Sequence, residues 1–213
     1  MRSKSIQGLY AITDSQLMRP KHFKAKLRQA LEGGAQVVQY RDKSAQHEQR
    51  WQQAQQLVEL CKEYNAVSII NDDVELANVV GADGVHIGTE DGTLLDARQQ
   101  LGANKIIGVT CHSDIQRAKA VITESADYVA FGSIFSSPTK PQAPAASLRV
   151  LEQAKQELDS PIVAIGGINL DNANSVIAAG ADSIAVISAV FGATGNDDAI
   201  KQAALAFSQS FSI

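Results

Sequence analysis

Seven short segments of this chain concentrate the residue types that handle phosphate: "QYRDK" (Gln39–Lys43), "NDD" (Asn71–Asp73), "HIGTED" (His86–Asp91), "TCH" (Thr110–His112), "IFSSPTKPQAP" (Ile134–Pro144), "GG" (Gly166–Gly167) and "IS" (Ile187–Ser188). Arg41 offers a planar fork of donors, and Lys43 and Lys140 offer point charges, the usual tools for phosphate oxygens. The competing use of Arg41 and Lys43 is a solvated or ion-paired surface position beside Asp42 and Asp73. Arg41 and Lys43 are two residues apart, so a strand would point them the same way. Asp72 and Asp91 are two carboxylates in neighbouring segments. They suit Mg²⁺, which takes one or two carboxylates plus water and substrate oxygens. They also suit a general acid/base pair, or simple helix capping, since Asp73 and Asp91 each precede a helical stretch. Of the two adjacent acids, Asp73 reads as the cap and Asp72 as the ligand. "GG" and "IS" suit a phosphate cradle of backbone N–H groups, because glycine lets an oxygen approach the backbone closely.

These segments need a scaffold that brings them to one surface. Strand-like runs recur: Leu9–Thr13, Val37–Arg41, Val67–Asn71, Gly84–Gly88, Lys105–Thr110, Tyr128–Gly132, Ile162–Gly167 and Ser183–Ser188. Helical stretches such as His22–Glu32, Gln46–Tyr64 and Ser147–Leu158 lie between them. That alternation implies right-handed βαβ units and a parallel sheet. "GGA" at Gly33–Ala35 and "GAD" at Gly81–Asp83 and Gly180–Asp182 stop helices, and "SADY" at Ser125–Tyr128 fills the same slot without glycine. No linker or repeat interrupts residues 1–213, so one domain is expected. Eight βα units fit a single-domain (β/α)8 TIM barrel better than an open sheet, and no glycine-rich nucleotide turn follows the first strand. In such a barrel, chemistry sits at the C-terminal ends of the strands, where all seven segments fall.

Composition agrees. The hydrophobic content is 45% with aromatics only 5%, so the core is aliphatic, as in packed parallel sheets. A net charge of −4 gives no overall attraction to nucleic acid or to an anionic membrane, so neither is an expected partner. No run approaches the roughly 18 apolar residues of a membrane span, and the N-terminus lacks a signal-peptide core. Cys61 and Cys111, in no metal spacing, read as reduced thiols of a cytoplasmic protein. Three cations, a candidate metal pair and a cradle are more than one phosphate requires. Two phosphorylated small-molecule substrates, one losing diphosphate, is the economical reading. Ser137 and Thr139 would then donate to one anion while Lys140 reaches another, on a backbone stiffened by Pro138 and Pro141.

"LYAITD", "QYRDK", "INDD.ELA", "GADGVHIG.ED", "IIGVTCHS", "DYVAFGSIF..PTK", "VAIGGI" and "GAD.IAVISA", in order over nearly the whole chain, resemble the thiamine-phosphate synthase family. The resemblance implies a Mg²⁺-dependent (β/α)8 transferase. Such an enzyme joins 4-amino-2-methyl-5-(diphosphooxymethyl)pyrimidine to thiazole phosphate, giving thiamine monophosphate and pyrophosphate. Carried over by position, it implies that Gln39, Tyr40, Arg41, Asp42, Lys43, Asn71, Thr110 and Lys140 hold the pyrimidine diphosphate. Ser137, Pro138, Thr139, Gly167, Ile187 and Ser188 would hold the thiazole phosphate, and Asp72 and Asp91 would bind Mg²⁺. Three positions depart from the family pattern: Thr89 replaces the usual Gln, "FSSPTK" replaces "YPT.TK", and Thr110 replaces Ser. The last two changes keep a hydroxyl, whereas Thr89 loses reach.

The implied reaction is an ionisation in which diphosphate leaves the pyrimidine methylene before the thiazole nitrogen attacks with its lone pair. No base is required, and Arg41, Lys43 and Lys140 would carry catalysis by stabilising the leaving group. The segment 133–146 is expected to close over the site. His86, alternating within a strand, reads as a satisfied interior histidine, and His112 is a candidate general acid. The rival activities are thiazole tautomerase, which needs a histidine but neither metal nor diphosphate site, and a non-catalytic phosphate-ligand binding barrel.

Overall fold

The computed structural model describes residues 5–43, 47–89, 92–135 and 146–212. Eight strands within them form a closed, wholly parallel barrel in chain order: β1 (Gly8–Ile12), β2 (Val37–Tyr40), β3 (Val67–Asn71), β4 (Gly84–Ile87), β5 (Ile106–His112), β6 (Tyr128–Phe131), β7 (Ile162–Ile165) and β8 (Ser183–Val186). Closure is made by β8 against β1, with Gly8 opposite Ser183 and Tyr10 opposite Ala185. The helices between and after them are α1 (Phe23–Glu32), α2 (His47–Glu63), α3 (Val74–Val79), α4 (Leu94–Leu101), α5 (Ile115–Thr123), α6 (Leu148–Glu157), α7 (Leu170–Ala178), α8 (Ser188–Phe191) and α9 (Ala199–Gln209). A short 3-10 turn, Pro20–His22, leads into α1. Each expected strand is present, with ends shifted by at most two residues. No helix among the described residues is long and apolar enough to cross a membrane.

The period-2 alternation of the strands sorts their side chains into two cores. Tyr10, Ile12, Val37, Val67, Ile69, Tyr128, Ala130, Val163 and Ala185 fill the barrel interior. Leu9, Ala11, Val38, Ile70, Val85, Val109 and Val129 face outward, into a layer shared with buried helix residues such as Leu27, Leu57 and Leu151. Burial on both faces explains the aliphatic strands. One large side chain dominates the interior at β6: Tyr128 lies across the face of Gly108 on β5, where any Cβ would overlap its ring.

The helix stops behave as their sequences suggest. Gly81 and Gly180 adopt φ of 68° and 107°, and Ser125, in the slot without glycine, is held at φ 81°. The acid that follows each stop has a use of its own. Asp83, Asp127 and Asp182 precede β4, β6 and β8, and their carboxylates accept the backbone N–H of Ser68 (2.8 Å), Ile107 (2.7 Å) and Ile162 (2.9 Å) on the preceding strand. Arg98 and Lys155 neutralise Asp127 and Asp182 at 2.6 and 2.7 Å. The end of the barrel away from the polar segments is therefore stapled three times. The opposite end receives the helix N-termini, capped by Asp73, Thr93, Asp114 and Asn169.

Candidate active site

At the C-terminal end of the barrel lies a cavity of about 500 Å³, and its lining follows from the alternation just described. Gln39 and Arg41 on and after β2, Asn71 on β3, His86 on β4 and Thr110 on β5 occupy the inward positions near the strand ends, and all line it. Gly166, Gly167, Ile187 and Ser188 supply the facing wall. A second cleft of about 590 Å³ lies alongside, lined by Tyr40, Asp42, Lys43, Arg50, Asp72 and Asp73; Asn71 belongs to both.

Among the described residues, Arg41 is the arginine or lysine that lines the central cavity. Its backbone is braced across the β1–β2 boundary: Thr13 Oγ1 accepts the Arg41 N–H at 2.8 Å and donates to the Arg41 carbonyl at 3.3 Å. Its guanidinium makes no hydrogen bond or ion pair among the described residues and stands at the cavity wall. Lys43 does not share that direction, contrary to the expectation from spacing. β2 ends at Tyr40, and beyond a strand end the period-2 rule no longer holds. Lys43 turns into the adjacent cleft, where its ammonium lies 3.4 Å from an Asp72 carboxylate oxygen.

Tyr40 also departs from expectation. It is the outward residue next to inward Gln39. Its ring is 2% exposed among α1 and α2, edge-on to Phe23, with its hydroxyl donating to Gln53 at 3.0 Å. Burial, then the nearby Asp42 carboxylate, pushes its phenol above the ordinary range. Its side chain borders the cleft, not the central cavity.

Asp73 is the N-cap of α3, accepting from Leu76 N–H at 2.9 Å, and is paired with Arg50 at 2.6 Å. Asp72 therefore keeps its carboxylate on the rim, on a backbone with φ 64°, a left-handed conformation that aspartate tolerates better than most residues. Its N–H donates to the His86 carbonyl at 2.8 Å, tying that turn to β4. A half-buried carboxylate lining an open cleft is the hard oxygen donor that Mg²⁺ takes, and in that respect the residue fits. Asp91, Ser137, Pro138, Thr139 and Lys140 lie outside the described residues. The segment carrying the last four is tied at its base, where Ala146 N–H donates to the Ser133 carbonyl at 2.7 Å.

The glycine wall has unfilled donors. Gly167 sits at φ 62°, its carbonyl held by Asn172 Nδ2 at 3.0 Å, and its N–H has no partner among the described residues. The N–H groups of Ser188 and Ala189 at the start of α8 likewise have no partner among the described residues, while those of Val190 and Phe191 bond back to the Ile187 carbonyl. Gly166 allows this wall to approach the β6 end, since a Cβ there would overlap Ser133.

His86 has a partner at each ring nitrogen, Tyr128 Oη at 3.0 Å and Thr110 Oγ1 at 2.8 Å, as expected of a satisfied interior histidine. His112 lines the cavity at φ 52°, after a register shift of β5 between Thr110 and His112. Thr89 is exposed and lines neither cavity. Tyr10, Tyr128 and Arg50 are polar lining residues that sequence reasoning missed. Tyr10 and Tyr128 read as strand interior, although a hydroxyl on an inward position of an aliphatic strand was a usable signal. Arg50 read only as part of the helical stretch Gln46–Tyr64, although a cation near the start of a helix opposes the helix dipole and so invites a second explanation.

With this geometry in hand, the comparisons with known proteins are specific. The family model described as "Thiamine monophosphate synthase" matches residues 9–190. A thiamine-phosphate synthase of Alcanivorax borkumensis is 52% identical over 206 residues, covering 97% of this chain and 94% of that protein. One from Nitrosococcus oceani is 46% identical, covering 98% and 94%. The solved thiamine phosphate pyrophosphorylase of Pyrococcus furiosus superposes with a TM-score of 0.87 at 36% identity, covering 99% of this chain and 97% of that one. The chain belongs to the thiamine monophosphate synthase family.

Proposed function

We propose that this chain is a thiamine-phosphate synthase. It would condense 4-amino-2-methyl-5-(diphosphooxymethyl)pyrimidine with thiazole phosphate to give thiamine monophosphate and pyrophosphate. The observation that carries the reading is an Arg41 guanidinium with no partner among the described residues, in a cavity whose facing wall offers N–H groups of Gly167 and Ser188 that are likewise without one. Those are two anion sites on one cavity.

In the reaction, the bond from the pyrimidine methylene carbon to the diphosphate oxygen breaks, and its electron pair leaves with the diphosphate. The thiazole nitrogen then forms the new carbon–nitrogen bond with its own lone pair and becomes positively charged. No proton moves, so the reaction needs no base. Gln39, Asn71 and Thr110 hold the pyrimidine, and Arg41, Lys43 and Lys140 take up the growing charge on the leaving group. A single preorganised donor of this kind is worth about 3–4 kcal/mol of barrier. Gly167, Ile187 and Ser188, with Ser137, Pro138 and Thr139, hold the thiazole phosphate. Alignment of the two rings supplies a further entropic contribution.

Asp72 and Asp91 are the proposed holders of Mg²⁺, which when bound would offset charge on the diphosphate. Lys43, 3.4 Å from Asp72, would stand near the same oxygens. Within the segment Gln39–Lys43, the outward ring of Tyr40 contributes packing, and Asp42 borders the cleft. Both Cys61 and Cys111 are buried free thiols, in keeping with a cytoplasmic enzyme.

The test is pyrophosphate release on mixing both substrates with Mg²⁺. Pyrophosphate and thiamine monophosphate should appear in equal amounts. Isomerisation of thiazole phosphate without pyrophosphate would establish the tautomerase, and binding without turnover would establish a non-catalytic barrel.

A further inference from the structure

A hydrogen-bond chain runs through the barrel interior beneath the cavity, from β2 to β5. Gln39 Nε2 donates to Tyr10 Oη at 2.8 Å, Tyr10 Oη meets Tyr128 Oη at 2.9 Å, Tyr128 Oη meets His86 Nδ1 at 3.0 Å, and His86 Nε2 meets Thr110 Oγ1 at 2.8 Å. Only the first of these contacts has its direction fixed by its own chemistry, because an amide nitrogen can only donate. The rest follow from it. Each phenol has one proton. Tyr10, 1% exposed, receives the Gln39 proton, and its own proton has Tyr128 as the acceptor in reach. Tyr128, fully buried, then has His86 Nδ1 as the acceptor for its proton. Leaving either buried hydroxyl proton unpaired would incur the full desolvation penalty of a buried polar group, so the order is enforced. Burial raises both phenol pKa values above the ordinary range, which keeps both protons in place. His86 Nδ1 is therefore an acceptor, its proton is on Nε2, and that proton goes to Thr110 Oγ1. The Thr110 proton is left to point into the cavity.

We propose that Tyr10, Tyr128 and His86 are positioning residues that make this chain one-way. The cavity then presents a hydroxyl donor at Thr110 and an amide-oxygen acceptor at Gln39. That pair selects a flat heterocycle carrying a ring-nitrogen acceptor and an exocyclic amino donor over the corresponding oxo heterocycle, in which donor and acceptor are exchanged. The choice of an aminopyrimidine rests on the proposed function, whereas the direction of the chain does not. One mispaired buried contact costs about 1–3 kcal/mol, so discrimination of roughly 5- to 150-fold is expected. The interior of the barrel, 118 residues apart in sequence between Tyr10 and Tyr128, would thus set the specificity of the rim.

Long-range ¹H–¹⁵N correlation spectra of the labelled whole chain read the tautomer directly. The chain has 4 histidines, and the His86 signal is the one lost in His86→Gln. A neutral ring protonated at Nε2 is expected; a ring protonated at Nδ1, or an imidazolium, overturns the proposal. In Gln39→Glu the carboxylate accepts from Tyr10, every link reverses, and the His86 signal should change to the Nδ1-protonated form. The preference in kcat/KM for the 4-amino over the 4-oxo pyrimidine diphosphate should fall at least tenfold with it. An unchanged tautomer or an unchanged preference overturns the assignment to Gln39. Should that variant not fold, Gln39→Met removes the donor without adding charge and is expected to show both tautomers; a pure Nε2 form there also overturns it. Loss of pyrophosphate release by the wild type with an Nε2-protonated His86 would refute the proposed function and leave the directed chain standing.

Discussion

Thr13→Val isolates the brace on Arg41. Thr13 is 1% exposed, and its hydroxyl bonds both the N–H and the carbonyl of Arg41, at 2.8 and 3.3 Å. Valine has the same shape but leaves both backbone groups without that partner. Loss of a partner by a buried polar group costs about 1–3 kcal/mol, which the extra apolar methyl offsets only in part. At about 2–4 °C per kcal/mol for a chain of this size, Tm should fall by roughly 2–8 °C in differential scanning fluorimetry. The brace also fixes where β2 ends, and with it the line from Gln39 to Arg41. Release of the Arg41 peptide should therefore raise KM for the diphosphate substrate and lower kcat/KM about tenfold, since a misplacement of a binding group by 1 Å can cost up to about 100-fold. Thr13→Ser keeps the hydroxyl and should recover most of both losses. A valine variant with lowered Tm but unchanged KM, or a serine variant as impaired as valine, would refute the view that this hydroxyl positions Arg41.

Other expectations separate catalysis from stability. Arg41→Ala removes a guanidinium with no protein partner among the described residues, so pyrophosphate release should drop by about 100-fold or more with Tm changed by under about 2 °C. Lys140→Ala should show the same contrast, and a Tm loss matching its activity loss would mark Lys140 as structural. Asp127→Ala does the reverse: it unpairs the Ile107 N–H and Arg98 at the far end of the barrel, so Tm should fall by several degrees while KM stays the same. The Cys111 thiol is pushed up to about 12, mainly by burial. The unfolded thiol ionises first, so its contribution to stability is complete below about pH 9 and is lost as pH rises towards 12. Denaturant midpoints across that range check it: Cys111→Ala should lose less stability than the wild type between pH 9 and 11, and an identical slope would refute the assignment.

Much of this architecture is legible locally. Each strand shows as an aliphatic run and each helix as a periodic one, and the turn at Ser125 takes a positive φ without glycine because its slot matches those of Gly81 and Gly180. The capping role of Asp73 was readable from its place before a helix. The alternation on β2 fails as a guide beyond Tyr40, which is why Arg41 and Lys43 part company. Tyr40 shows the complementary error: a motif spanning Gln39–Lys43 counts every residue, whereas a strand sends alternate side chains to opposite faces.

By itself, then, the order of residues determined the eight βα units, the end of the barrel that carries phosphate-handling groups, and membership of the family, because these depend on local periodicity and on motifs in register. Closure of the barrel decided the rest. It set Tyr10 against Tyr128 and His86 against Thr110, and it turned Asp72 towards Lys43. The Tyr10–Tyr128 contact joins strands 118 residues apart, and the other two join neighbouring βα units. They depend on strand tilt, register and interior volume, which no hydrophobic pattern along one segment encodes.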